Sequence, residues 1–225
     1  MADVALQRKN MVESQVRPSD ITDRRIIRAM LNVPREAYVP ASSEAVAYGD
    51  GDIRLETAAD AKTGQPRTLM AARVFAKLIQ LCDIEPHDDV LIVGGGMGYS
   101  AAVVARLAKS VIALEENETL AAHAKTVLSR QGVTSAEVII GPLSGGVPGK
   151  APFDVIIMEG VASGVPQGLL DQLGPNGRLA VICANGAAGK ATLWRRHASG
   201  FDQTQAFDAA AFVLPGFAKA PEFSF

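Results

Sequence analysis

The sequence predicts an α/β protein built on a doubly wound, mostly parallel sheet. Three observations carry this. Five short, continuous apolar runs are spaced along the chain: Val90-Leu91-Ile92-Val93, Val111-Ile112-Ala113-Leu114, Val138-Ile139-Ile140, Val155-Ile156-Ile157-Met158 and Leu179-Ala180-Val181-Ile182. Helical segments, notably 99–108, 117–130 and 166–173, lie between most of them. Strands that are apolar throughout, rather than alternating, are what a parallel sheet covered on both faces requires. The first run also feeds directly into Gly94-Gly95-Gly96-Met97-Gly98 and then a helix, the arrangement of a ligand-binding strand–turn–helix in an open α/β sheet.

The elements before the sheet are read from periodicity and punctuation. After a polar start, Ile26, Ile27, Met30 and Leu31 recur at helical spacing behind Asp20, Thr22 and Asp23, all residues that cap, and Pro34 ends the pattern. Residues 49–66 are turn-rich and weakly periodic, and read as a long loop. Val74, Phe75, Leu78, Ile79 and Cys82 mark the buried stripe of a second helix. Beyond the fifth run, Trp194-Arg195-Arg196 reads as a solvated helix or loop face, and 207–225, aromatic and apolar with Pro215 and Pro221, as a last strand and packed terminal extension.

Composition bounds the function. The chain has 225 residues, 48% hydrophobic and 20% charged, enough to bury a core without staples and too apolar to be disordered. Its 22 basic and 24 acidic residues are interspersed, so no patch invites nucleic acid. Cys82 and Cys183 sit among apolar residues outside any ligand spacing and read as buried free thiols; His87, His123 and His197 are scattered, so no metal site is expected. No signal-peptide core or membrane-length apolar run occurs, giving a cytoplasmic expectation with no membrane partner. Oligomeric state is not set by these features.

The glycine turn and the acid after it carry the chemistry. Glycines let a ligand approach the backbone, and the following helix presents free N–H groups. Glu115 ends the second strand about 20 residues past the loop, where a carboxylate accepts hydrogen bonds from both hydroxyls of a nucleoside ribose. The same loop also fits the degenerate dinucleotide fingerprint, but residues 1–89 precede it, whereas a nicotinamide enzyme more often opens with this strand.

Beyond these readings, Gln15-Val16-Arg17, Ile21, Asp23, Ala29-Met30, Val33-Pro34-Arg35 and Tyr38-Val39-Pro40 resemble the N-terminal signature of protein-L-isoaspartate O-methyltransferases. The glycine loop with Tyr99, Ala101-Ala102 and Val104-Ala105, then Glu115, Ala151-Pro152-Phe153-Asp154, Leu173 and Gly177-Arg178-Leu179 continue the resemblance in order. It implies a seven-stranded, methyltransferase-type (Rossmann-like) sheet with N-terminal helices. Residues 1–70 would form a helical segment and substrate-side loop within the same domain as a core over 71–225. It implies S-adenosylmethionine as cofactor, held by Gly94, Gly95, Gly96, Gly98, Tyr99, Glu115, Pro142, Leu143 and Glu159, and an isoaspartyl-containing protein or peptide as substrate.

Departures from the family pattern cluster at the active site. The family motif Gly-Gln-Thr-Ile-Ser-Gln-Pro falls against Pro66-Arg67-Thr68-Leu69-Met70-Ala71-Ala72. Thr68 is the matching residue and the candidate catalytic contact; Met70, a thioether with no hydroxyl to donate, stands at the serine. The preceding loop, through Glu56 to Gly64, is about eight residues longer. Ile92 replaces an acid that, by the resemblance, serves the cofactor ammonium; Glu159, after the fourth strand, reads either as its substitute or as a solvated or capping glutamate. Pro142-Leu143 replace an Asp-Gly at the adenine. A methyltransferase with a different acceptor and a non-catalytic binding protein of the same fold are the alternatives these departures leave open.

Overall fold

The structure, a computed structural model, describes residues 3–55, 67–184 and 189–218. It begins with a helix the polar start concealed: α1, Val4–Met11, capped by Asp3, whose side chain accepts from the N–H groups of Ala5 and Leu6. The segment runs on through a π-turn at Val12–Val16 and a 3-10 turn at Arg17–Ser19. Its weak periodicity hid it, since Met11, Val12 and Val16 supply the buried contacts. The predicted N-terminal helix is α2, Arg24–Asn32, with Asp23 as the cap, accepting from Arg25 N–H. The stretch read as loop, 49–66, holds strand β1 (Ile53–Arg54), which pairs antiparallel with β2 (Thr68–Leu69) just beyond it; residues 56–66 of that loop, including Glu56–Gly64, lie outside the described residues. The second predicted helix is α3, Ala72–Leu81, with Cys82 as its C-cap.

The main sheet then forms from β3 (Asp89–Val93), β4 (Ser110–Glu115), β5 (Ala136–Ile140), β6 (Phe153–Ala162), β7 (Leu173–Cys183), β8 (Gly189–His197) and β9 (Gly200–Ala209). Its order is β5-β4-β3-β6-β7-β8-β9, seven strands as expected. The five apolar runs form the parallel part, β5 to β7, and β8 and β9 add an antiparallel hairpin at the edge. Trp194, Arg195 and Arg196 therefore lie on a strand rather than a helix or loop, and the last strand begins at Gly200, before the predicted 207. An edge strand buries few side chains, so β9 shows no apolar run to read. Helix α4 (Tyr99–Val104) ends four residues short of the predicted 108, and α5 is Glu118–Arg130. The helix expected over 166–173 is one turn, α6 (Gln167–Leu170), because the chain enters β7 at Leu173.

Each central strand is apolar on both sides because both are buried. Val90, Ile92, Val111, Ala113, Val155 and Ile157 pack with side chains of α1–α5, while Leu91, Val93, Ile112, Leu114, Ile156 and Met158 pack with Leu143, Leu169, Leu170, Leu214 and Phe217. The second face is thus covered by one helical turn and by terminal segment rather than by long helices. Cys82 is buried, as expected, and burial pushes its thiol up to about 12; Cys183 is half-buried. Among the described residues no helix is long and apolar enough to cross a membrane.

Candidate functional site: the glycine loop and Glu115

Strand β3 is the switch point of the sheet, with β4 on one side and β6 on the other. The chain leaves its C-terminal end through α4 towards β4, while β6 on its other side is entered from β5, and this reversal of strand order opens the crevice where ligands bind in such folds. The glycine loop sits at that end. Gly94 and Gly95 both donate backbone N–H bonds to Leu114 O, at 2.9 and 3.1 Å, and Gly98 N–H bonds Gly95 O at 2.9 Å. Gly98, with φ +94°, is the N-cap of α4.

Glu115 ends β4 facing this loop and is fully buried. Its two oxygens are fixed by backbone: Oε2 accepts from Gly96 N–H at 2.8 Å and Oε1 from Asn117 N–H at 3.0 Å. Asn117 itself caps α5, accepting from Thr119 and Leu120 N–H. The carboxylate is thus held rigidly between the glycine loop and the next helix. Oε2 also accepts, at 2.6 Å, from the guanidinium of Arg67, forming a buried ion pair.

The other predicted residues distribute as follows. Pro142 and Leu143 follow β5; Pro142 is exposed, and Leu143 is buried in the second core cluster. Glu159 lies in β6, 9% exposed, with one carboxyl oxygen buried and without a hydrogen-bond partner. Burial pushes Glu159 up to about 7; Ser100, Arg67 and Arg35 oppose this, and the like charge of Glu115 adds to it. Ile92, at the position of the missing acid, is fully buried in the core. Thr68 is half-buried in β2, next to Arg67 and opposite Arg54. Met70 is buried, and its carbonyl accepts from Arg35 Nη2 at 2.7 Å.

Tyr99 opens α4, but its ring turns into the core. It packs against Tyr38 and Phe75, with both centroid distances 5.9 Å, and the fully buried Arg35 guanidinium stacks over it at 4.7 Å. These contacts give Tyr99 a packing role, joining the N-terminal segment to α3 and α4.

Three residues at the site escaped the sequence reading. A Cβ built on Gly94 would come within 2.7 Å of Leu214 Cδ2 and 3.2 Å of Arg67 Nη2; one on Gly96 would lie 2.7 Å from Leu55 Cδ1; one on Gly160 would lie 2.7 Å from Leu214 Cγ. Arg67, Leu55 and Leu214 therefore rest on the open faces of these glycines. A lone cation between a proline and Thr68-Leu69-Met70 was the available signal for Arg67. Leu214 gave none, since it reaches the site through pairing of the terminal segment with β6: Val161 N–H donates to Phe212 O and Leu214 N–H to Val161 O.

The family model described as protein-L-isoaspartate(D-aspartate) O-methyltransferase (PCMT) matches residues 6–215. A protein-L-isoaspartate O-methyltransferase of Methanoculleus marisnigri is 38% identical over 173 residues, 77% of this chain and 75% of the relative. One of Methylorubrum extorquens is 36% identical over 206 residues, 92% and 86% of the two chains. Among solved structures, a protein-L-isoaspartate O-methyltransferase superposes with a TM-score of 0.81 at 22% identity, over 93% of this chain and 66% of that longer one. A Plasmodium falciparum structure, titled a putative enzyme of this kind in complex with S-adenosyl-L-homocysteine, gives 0.75 at 21% identity, over 92% and 97%. With its sheet order, its glycine loop and a family match over nearly its whole length, this chain belongs to the protein-L-isoaspartate (D-aspartate) O-methyltransferase family.

Proposed function

We propose that this chain is an S-adenosylmethionine-dependent O-methyltransferase that methylates the free α-carboxylate of isoaspartyl residues in damaged proteins. The observation that carries the reading is Glu115: a buried carboxylate at the C-terminal end of the strand after the glycine loop, both oxygens oriented by backbone N–H groups. That oriented acceptor fits the hydroxyls of a nucleoside ribose, and the glycine backbone fits close approach of the rest of the cofactor. Gly94, Gly95, Gly96, Gly98 and Glu115 are the residues that would hold it, with Leu143 an apolar wall for the adenine and Glu159 a carboxylate for the ammonium. The volume above the loop is held by Arg67, Leu55 and Leu214, so these side chains must turn aside for a ligand to enter.

When bound, the cofactor supplies an activated methyl group. The protein's task is then positioning, because a substrate carboxylate with a pKa of about 3.9 is already ionised at neutral pH and needs no general base. Thr68 retains a hydroxyl to orient that carboxylate. Met70 offers none, so this chain relies on fewer side-chain donors than the family motif provides. The N-terminal stretch to about residue 70 is read as part of the same domain as 71–225; Met11, Val16 and Tyr38 sharing one buried cluster with Phe75 and Tyr99 supports this.

Calorimetric titration with S-adenosylmethionine, followed by labelled methyl transfer to an isoaspartyl peptide and its aspartyl counterpart, tests the reading. The expected result is saturable binding abolished by Glu115→Ala and labelling confined to the isoaspartyl peptide. Binding without labelling of either peptide would remove the substrate assignment and keep the cofactor.

A further inference from the structure

Arg67 limits how much of the acceptor capacity of Glu115 is available. A carboxylate offers about four lone-pair positions, two per oxygen. On Glu115, Oε2 accepts from Gly96 N–H and Arg67 Nη2, and Oε1 from Asn117 N–H. Two ribose hydroxyls need two free positions, and three of the four are taken. The position that a ligand would claim is the one filled by Arg67, since the other two donors are backbone groups of the loop and helix that build the site. The guanidinium also lies over Gly94, and Leu55, whose N–H bonds Arg67 O at 2.9 Å across the β1–β2 ribbon, lies over Gly96.

Resting on the methyltransferase reading above, we propose that Arg67 is an internal competitor for the cofactor: its guanidinium occupies the ribose position of Glu115, and binding exchanges that ion pair for the ribose hydroxyls. The end of the β1–β2 ribbon formed by Leu55 and Arg67 moves off the glycine loop in the same step, because the two are bonded neighbours. A second partner stands ready for the displaced cation. Glu159, with one buried oxygen lacking a hydrogen-bond partner, is the nearby acid coupled electrostatically to both Arg67 and Glu115. Arg67 thereby determines cofactor affinity: the apparent dissociation constant is the intrinsic one divided by the fraction of molecules with the pair open.

The test is calorimetric titration of the wild type and Arg67→Gln with S-adenosylhomocysteine. Glutamine keeps most of the volume and a donor for Glu115 while removing the charge, so folding is checked first by circular dichroism. Binding about tenfold or more tighter in the variant is expected. Structural damage weakens binding, so a gain in affinity is a readout that a purely structural role for Arg67 would not give. Equal or weaker binding by the folded variant, with the wild type binding, overturns the competitor and leaves the methyltransferase reading intact. Silence in both proteins overturns the two together. A crystal structure of the wild type with S-adenosylhomocysteine serves where the variant does not fold: Arg67 away from Glu115 and the ribose hydroxyls on its carboxylate is expected, and a retained Arg67–Glu115 pair overturns the proposal.

Discussion

At the scale of single residues, burial decides what each polar group does. Glu159 is the clearest case, because burial raises its carboxyl to about 7 from an ordinary 4.5. The folded state then holds a proton that the unfolded state releases between those values, so stability falls as pH rises through this window and levels off above it. Glu159→Gln removes the titration, and should raise stability near pH 8 by on the order of 2–3 kcal/mol while leaving it unchanged near pH 4. Urea unfolding at the two pH values measures this, and equal effects at both would show that the carboxyl is not held protonated by the fold. The glycine turn and the acid after it were legible in the sequence because their conformational freedom and charge are local features, whereas Thr68 was singled out only by the family resemblance. The direction of Tyr99 was not, because a ring at the start of a helix points where its neighbours Tyr38, Phe75 and Arg35 make room.

At the scale of elements, the glycine loop is the most demanding piece of backbone. Gly98 has φ +94°, and an added Cβ would meet Ala124 Cβ at 3.1 Å; Gly132 has φ +66° with nothing within 4 Å. Replacement by alanine at Gly132 should therefore cost only the left-handed conformation, about 1–2 kcal/mol. Gly98→Ala adds the crowding of α5 and should cost more, roughly 1 kcal/mol beyond Gly132→Ala. Chemical denaturation of the two variants compares them directly, and a Gly98 variant no worse than the Gly132 one would mean that α5 yields freely. The strands of the parallel sheet were readable from their apolar runs, and α2, α3 and α5 from periodicity. Helix α1 and the hairpin β8–β9 were not, because their stabilising contacts come from elsewhere in the fold rather than from a strong pattern of their own.

At the scale of the whole molecule, distant segments are tied by a few buried charges. Arg178 on β7 pairs with Asp88 at 2.6 Å and donates to the carbonyls of Cys82 and Asp83 at the end of α3, fixing that helix and the turn into β3 against the sheet. Asp88 is almost fully buried and would keep the Glu85 N–H bond but lose its paired cation, so Arg178→Ala leaves a buried uncompensated charge and should cost about 3 kcal/mol or more. A loss below about 1 kcal/mol in urea unfolding would show that water relieves Asp88. The terminal segment acts at the same scale, since Leu214 and Phe217 close the second core cluster and Leu214 covers Gly94 and Gly160.

The sequence by itself determined the sheet's parallel core, the strand–glycine–helix turn and the acid that follows it. Each is written in consecutive residues whose hydrophobicity or conformational freedom has one local use. Only the tertiary structure decided what lies on that turn. Arg67, Leu55 and Leu214 come from a two-stranded ribbon and a terminal segment far along the chain from Glu115. No periodicity links them to the loop, because a buried ion pair and a covering leucine depend on how separate segments converge in space.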